Sequence, residues 1–237
     1  MQRVTKLLSA SAVALVAATS ASFAGGVVET PPPPVTIIPE PVYDWTGVYV
    51  GGSLSFAHGI YEGEFVPPSA VPGLGFPADG EGDLEGHMIS GIIGYSMQSG
   101  NLVYGGELAL SAVDIDGSEE CPNTTFDCDI AIDAMAALSG RLGYLASDRM
   151  MVYGTLGLAA ANVDVSTPGP ITGGSEETVT GFTIGLGMEY AVSESMRVRG
   201  GINHYSFGEE EYAVAGGDVA EVDFNFTAVE IGVLFQF

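Results

Sequence analysis

The stretch that decides the fold is the last one, Val222-Asp-Phe-Asn-Phe-Thr-Ala-Val-Glu-Ile-Gly-Val-Leu-Phe-Gln-Phe237. From Val229 the odd positions, Val229, Ile231, Val233, Phe235 and Phe237, are large and apolar. Ala228, Glu230, Gly232 and Gln236 between them are small or polar, with Leu234 the exception. Strict period two marks a strand with two unlike faces. Hydrocarbon on one face, polar groups on the other and an aromatic carboxyl end are what the closing strand of a membrane-spanning barrel requires. Lipid offers no partner to a free sheet edge, so this strand must return to pair with the first.

The amino end reads as a secretory signal over residues 1–24: Met1 to Lys6 is short and basic, Leu7 to Ala21 is apolar, and Ser22-Phe-Ala24 supplies small residues for a cut between Ala24 and Gly25. The apolar run is too short and too rich in Ala and Ser for a spanning helix. With the signal removed, the basic residues are Arg141, Arg149, Arg197 and Arg199, against thirty acids in a chain of net charge −24. Residues 25–43 contain Pro31 to Pro34, Pro39 and Pro41 and read as an extended, semi-rigid periplasmic leader. The barrel is expected over 44–237, as one domain.

Working back from the closing strand, alternating segments lie near Leu84–Met97, Leu102–Val113, Ile130–Leu145, Met150–Val163, Val179–Val192 and Met196–Phe207. The first strand is Asp44-Trp-Thr-Gly-Val-Tyr-Val-Gly-Gly-Ser-Leu-Ser-Phe-Ala57: Val48, Val50, Leu54 and Phe56 form its apolar face, and Trp45 at its start is expected at the membrane interface. That makes eight strands, an all-β, antiparallel, up-and-down transmembrane barrel, each strand long enough to cross a bilayer at a tilt. Connections alternate. Gln98–Asn101, Ala146–Arg149 and Ser193–Ser195 are tight, whereas Gly59–Asp83, Asp114–Asp129, Asp164–Thr178 and Gly208–Glu221 are expected as long loops. A membrane meander gives this pattern and puts both termini on the short-turn, periplasmic side; a Greek-key sandwich does not.

Asp44-Trp-Thr-Gly-Val-Tyr-Val-Gly-Gly52, Gly140-Arg-Leu-Gly-Tyr144, Tyr153-Gly-Thr-Leu-Gly-Leu-Ala159 and the terminal Phe237 resemble the small outer-membrane barrel proteins of the 25/31-kDa surface-antigen type, relatives of the opacity proteins and of the OmpA transmembrane domain. The resemblance implies a surface-exposed protein of a Gram-negative outer membrane, porin-like in description, with haemin binding or host contact in some relatives. No pair of loop histidines or tyrosines marks a haemin site in this sequence.

Strand phase gives the candidate interior residues. With Ile130, Ile132, Leu138, Leu142 and Tyr144 facing lipid, Asp133 and Arg141 turn inward, and the same phase places Glu107, Glu189, Arg199 and Glu230 in the lumen. Unpaired charges there are costly, so the three glutamates are expected to pair with Arg141, Arg199 and Arg197. An eight-stranded lumen is just filled by side chains, which predicts a plug; a gated ion path lined by Arg and Glu is the alternative.

The segments between strands on the far side carry many acids and no Lys or Arg. Such a surface repels nucleic acid and meets lipopolysaccharide phosphates only through bridging divalent cations, for which Asp114-Ile-Asp116 and Glu209-Glu-Glu211 are the candidate positions. Neither has the spacing of a dedicated calcium loop, and no other cofactor is expected. Cys121 and Cys128, the only cysteines, are expected to form a disulfide within one loop. His204, Ser206 and Glu209 are the single constellation to test for lipid A chemistry, but no nucleophile elbow accompanies them, and no enzyme is expected. The expected partners are outer-membrane lipid, lipopolysaccharide and the barrel-assembly machinery, which receives the C-terminal strand. The expected state is a monomer whose work is structural and surface-related, the alternative being a porin-like channel for small cationic solutes.

Overall fold

The computed structural model describes residues 43–65, 80–120, 127–167, 173–213 and 219–237. The signal and leader up to residue 42, Cys121, the side chain of Cys128 and the four hairpin tips lie outside the described residues, and with them the expected cleavage site and disulfide. Eight strands follow in order: β1 (Gly47–Phe65), β2 (Gly80–Ser99), β3 (Leu102–Glu120), β4 (Asp127–Ser147), β5 (Met150–Thr167), β6 (Gly173–Ala191), β7 (Met196–Ala213) and β8 (Val219–Gln236). Each pairs antiparallel with the next, and β8 returns to β1 with Tyr49 opposite Gln236 and Phe65 opposite Ala220. The sheet is a closed barrel, so it has no free edge. The turns at Gly100–Asn101 and Asp148–Arg149 and the four-residue link Val192–Ser195 gather at one end, beside Gly47 and Phe237. Gly100 adopts φ +60°, the left-handed conformation its tight turn demands.

Each strand is 18 to 21 residues long, about twice what a tilted membrane strand needs. The described parts of the segments expected as long loops are therefore strand. Their acids alternate with apolar residues, and the alternation has opposite polarity to that of the membrane half. On β8, Val229, Ile231, Val233 and Phe235 face outward and Glu230 inward, whereas further along Asp223 and Thr227 face outward and Val222, Phe224 and Phe226 inward. On β3 the outward face passes from Leu108 and Leu110 to Asp114 and Asp116, as the inward face passes from Glu107 to Val113 and Ile115.

The short-turn half is thus greasy outside with charges within. The long-hairpin half is polar outside with an apolar core, as a barrel standing in water requires. Only charged interior residues were expected; the interior of the upper half instead holds Leu84, Ile132, Val163, Phe224, Phe226 and their neighbours. Tyr205, Phe207, Phe224 and Phe226 stack across β7 and β8, with ring centroids 4.6 Å apart for Phe207 and Phe224 and 5.0 Å for Tyr205 and Phe226.

Two further expectations are corrected. Asp133 is exposed, and Ile130 and Ile132 are buried in the lumen. A register shift on β4 between Ile132 and Ala134 inserts one residue and reverses the facing of everything beyond it, which is the usual effect of a β-bulge. Trp45 is also not in the interfacial belt: it is fully buried in the short-turn mouth. The belt on that side consists of exposed Tyr95, Tyr104, Tyr144 and Tyr190.

The inverted halves predict unequal responses to truncation. Phe226→Ala should leave a cavity in the stacked core and cost about 3 to 5 kcal/mol. Leu186→Ala, on a side chain 70% exposed to the surroundings of the barrel, should cost well under half of that because lipid refills the space. Urea unfolding from lipid vesicles, followed by intrinsic fluorescence, distinguishes the two.

Candidate functional site

Within the short-turn half the lumen is crossed by a line of alternating charge running Arg197, Glu189, Arg141, Glu107, Arg199, Glu230. All six are 8% exposed or less. Period two and the turn positions put them there: Glu107 lies five residues into β3, Glu189 two before the end of β6, and Arg197 and Arg199 at the start of β7. Arg141 donates from Nη2 to Glu189 Oε1 at 2.5 Å and from Nη1 to Glu107 Oε2 at 3.2 Å. Arg199 grips the same glutamate with Nη1 and Nη2, at 2.8 to 3.0 Å, and donates from Nε to Glu230 Oε1. A planar fork with five donors suits this use, where a lysine would make one point contact.

Arg197 Nη1 lies 3.1 Å from Glu189 Oε2, but none of its three nitrogens has a hydrogen-bond partner aligned with it. Its cation is held by the carboxylate charge and by ring faces, Tyr49 at 4.5 Å and Trp45 at 5.3 Å from the centroid. This contact takes the indole out of the membrane belt. Tyr49 stitches the line from the side, accepting from Arg141 Nη1 at 2.8 Å and donating to Glu107 Oε2 at 2.9 Å. Arg141 also lies over the ring of Tyr153, 4.3 Å from its centroid. Gly94 and Gly187 are the seats of these two rings, since a Cβ at either would collide with the phenol of Tyr49 or of Tyr153.

A short strap closes the mouth below. Tyr43 donates from its hydroxyl to Gln236 Oε1 at 2.8 Å, while Gln236 Nε2 donates to the carbonyls of Asp44 and Thr46 at 2.7 and 2.9 Å. The backbone N–H of Trp45 donates to Gln98 Oε1 at 3.1 Å. Burial raises the pKa of the Tyr43 phenol above its ordinary value, against the opposing pull of Arg197. The strap ties the first strand to the last at the seam where the ring closes.

The structure brings Glu107, Arg141, Glu189, Arg199 and Glu230 into one network with Arg197. Asp133 is outside it. Tyr49, Tyr153 and Trp45 complete it: Tyr49 is opposite Gly94 and Tyr153 opposite Gly187, which leaves each ring room, whereas Trp45 precedes β1 and meets Arg197 only because the ring closes. His204 Nδ1 and Thr227 Oγ1 are 3.1 Å apart, and among the described residues no hydrogen bond ties His204 to Ser206. Glu209 is exposed beside a register shift between Phe207 and Glu210. Asp114 is 3.7 Å from His87, and Glu209 to Glu211 line a recess of about 490 Å³ with Glu177 and Glu221. Among the described residues, no group of three or more His, Cys, Asp or Glu is placed to hold a metal ion.

Residues 8–237 match the outer membrane protein β-barrel domain family. The chain is 27% identical over 237 aligned residues to the 31 kDa outer-membrane immunogenic protein of Brucella melitensis biotype 1, covering 96% of this chain and 98% of that one. It is 28% identical over 198 residues to the 22 kDa outer membrane protein of Rhizobium leguminosarum bv. viciae, covering 83% and 81%. The solved outer membrane protein OprG of Pseudomonas aeruginosa shares the fold, with a TM-score of 0.55 and 11% identity over 82% of this chain and 97% of that one.

Because Glu189 neutralises both Arg141 and Arg197, Glu189→Gln strands positive charge in the lumen and should cost about 3 to 5 kcal/mol. Adding Arg197→Met should recover much of that loss. The urea midpoint of the unfolding transition checks both; an unchanged midpoint for Glu189→Gln alone would mean the network is hydrated and contributes little.

Proposed function

The chain belongs to the outer membrane protein β-barrel family and is an outer-membrane protein; we propose that its work there is structural and surface-related, as a sealed barrel that anchors an acidic, folded extension above the membrane. The observation that carries this reading is the filled lumen. Three arginines and three glutamates cancel across the lower half, stacked aromatics occupy the upper half, and the Tyr43–Thr46 strap lies under both. A solute would have to break buried ion pairs and then displace an aromatic core, each step costing several kcal/mol.

In this reading the short turns and both chain ends face the periplasm, and the long hairpins face outward. Their outer wall, with Asp83, Glu85, Asp114, Asp116, Glu176 and Glu177 exposed, is a solvated surface that keeps neighbouring barrels apart. Divalent cations are its natural counter-ions and bridge carboxylates to lipopolysaccharide phosphates. The C-terminal strand ending in Phe237 is the segment offered to the barrel-assembly machinery, and the barrel functions as a monomer.

Planar-bilayer recordings test the sealed barrel. The expected result is electrical silence across a wide range of salt, both for the native chain and for Trp45→Ala, because the aromatic half remains in place. Steady cation-preferring channels from the native protein would overturn it in favour of a porin-like role.

A further inference from the structure

Near the limit of the apolar band on β7, β8 and β1, with exposed Ile60 beyond it on β1, the outward face carries a compact group of hydrogen-bonding side chains. His204 is opposite Thr227, Ser206 is opposite Asn225, and Thr227 is opposite His58 on its other side. His204, Ser206, Thr227 and His58 are exposed and Asn225 is half-buried. One register below, Ile202, Val229 and Phe56 form a row of exposed apolar side chains. The two imidazoles flank Thr227 on adjacent strands, roughly 10 Å apart across two strand spacings. His204 Nδ1 is engaged by Thr227 Oγ1, which leaves Nε2 for an outside partner.

The surrounding charges make this place unlike the rest of the long-hairpin half. Facing His204 from β6 are Ile184 and, diagonally, Phe182; from β8 come Thr227, Asn225 and Val229; its own strand adds Ile202 and Ser206. No carboxylate lies in the registers next to it. His58 faces Thr227 on β8 and Glu85 on β2, whose Oε1 is 3.3 Å from Nδ1, with Asp83 and His87 diagonal to it. Further out lie Asp223 on β8, Glu62 on β1 and Glu209 on β7. His204 thus faces no carboxylate in the adjacent registers, whereas His58 has Glu85 beside it.

We propose that His204, Ser206, Asn225, Thr227 and His58 form a binding site for the phosphate of a lipid headgroup in the leaflet beside the long hairpins, with the acyl chain lying over Ile202, Val229 and Phe56. The absence of Lys and Arg from the outward face of that half excludes strong bases from phosphate contact, but histidines at the polar limit of the band supply the donor when protonated. Thr227 and Ser206 hydroxyls and the Asn225 amide complete a neutral donor set around it. The site is acid-strengthened and holds a lipid, since only a tailed phosphate reaches both the donors and the apolar row.

The test uses the purified protein in dodecyl maltoside with dihexanoyl phosphatidylglycerol, whose single phosphodiester charge is constant over the range, and with inorganic phosphate as the untailed arm. Binding is followed by the imidazole resonances. At about pH 5.5 the lipid should bind roughly tenfold more tightly than at about pH 8, the effect of one charge-assisted hydrogen bond. His204→Gln should remove that gain, His204→Lys should keep tight binding at the higher pH, and inorganic phosphate should bind at least tenfold more weakly than the lipid. If His204→Gln fails to fold, as judged by unboiled gel mobility, His204→Lys alone decides. Lipid affinity indifferent to pH, or unaffected by either substitution, overturns the proposal, and inorganic phosphate bound as tightly as the lipid overturns the assignment to a lipid.

Discussion

In hydrocarbon a backbone amide without a partner costs several kcal/mol, and this constraint shapes everything else in the molecule. It forces β8 back onto β1, and the seam so formed is held at its base by Gln236 bridging to Tyr43, Asp44 and Thr46. Closure with eight strands fixes a lumen about as wide as its own side chains. Whatever points inward must then be satisfied by other inward groups, because there is little room for anything else.

The two halves of the barrel meet that demand in opposite ways. In the membrane half the exterior is solvated by lipid, so apolar side chains go outside and the interior can hold an electroneutral line of three arginines and three glutamates. In the half above, water replaces lipid, and the same eight strands put Asp and Glu outside and Phe, Ile and Val inside. One strand such as β8 passes through both regimes without changing its backbone. Polarity switches while periodicity does not, and the switch marks the level of the membrane surface, where His58, His87 and His204 are found.

Much of this was legible in the chain. Val229 to Phe237 showed the lipid face, the tight turns showed the meander, and phase alone placed Glu107, Arg141, Glu189, Arg199 and Glu230 inside. Three features were harder to see, for physical reasons. The bulge at Asp133 adds a single residue, and nothing in Ile132-Asp133-Ala134 marks it. The acidic hairpins resembled loops because Asp, Glu, Gly and Pro recur in them, although Val113-Asp114-Ile115-Asp116 and Val222-Asp223-Phe224-Asn225-Phe226 keep period two. Trp45 looked like a belt residue because its partner Arg197 is 152 positions away and only closure of the ring brings them together.

A lipid-clad half and a water-clad half thus share one set of strands. Spin labels at positions 186 and 231 and at positions 116 and 176, each introduced singly on a background with Cys121 and Cys128 replaced by Ser, test it in reconstituted vesicles by power saturation. Labels at 186 and 231 should collide with oxygen and not with a water-soluble nickel chelate, and labels at 116 and 176 should do the reverse. Free nickel access at 186 and 231 would place the apolar band outside the bilayer and contradict it.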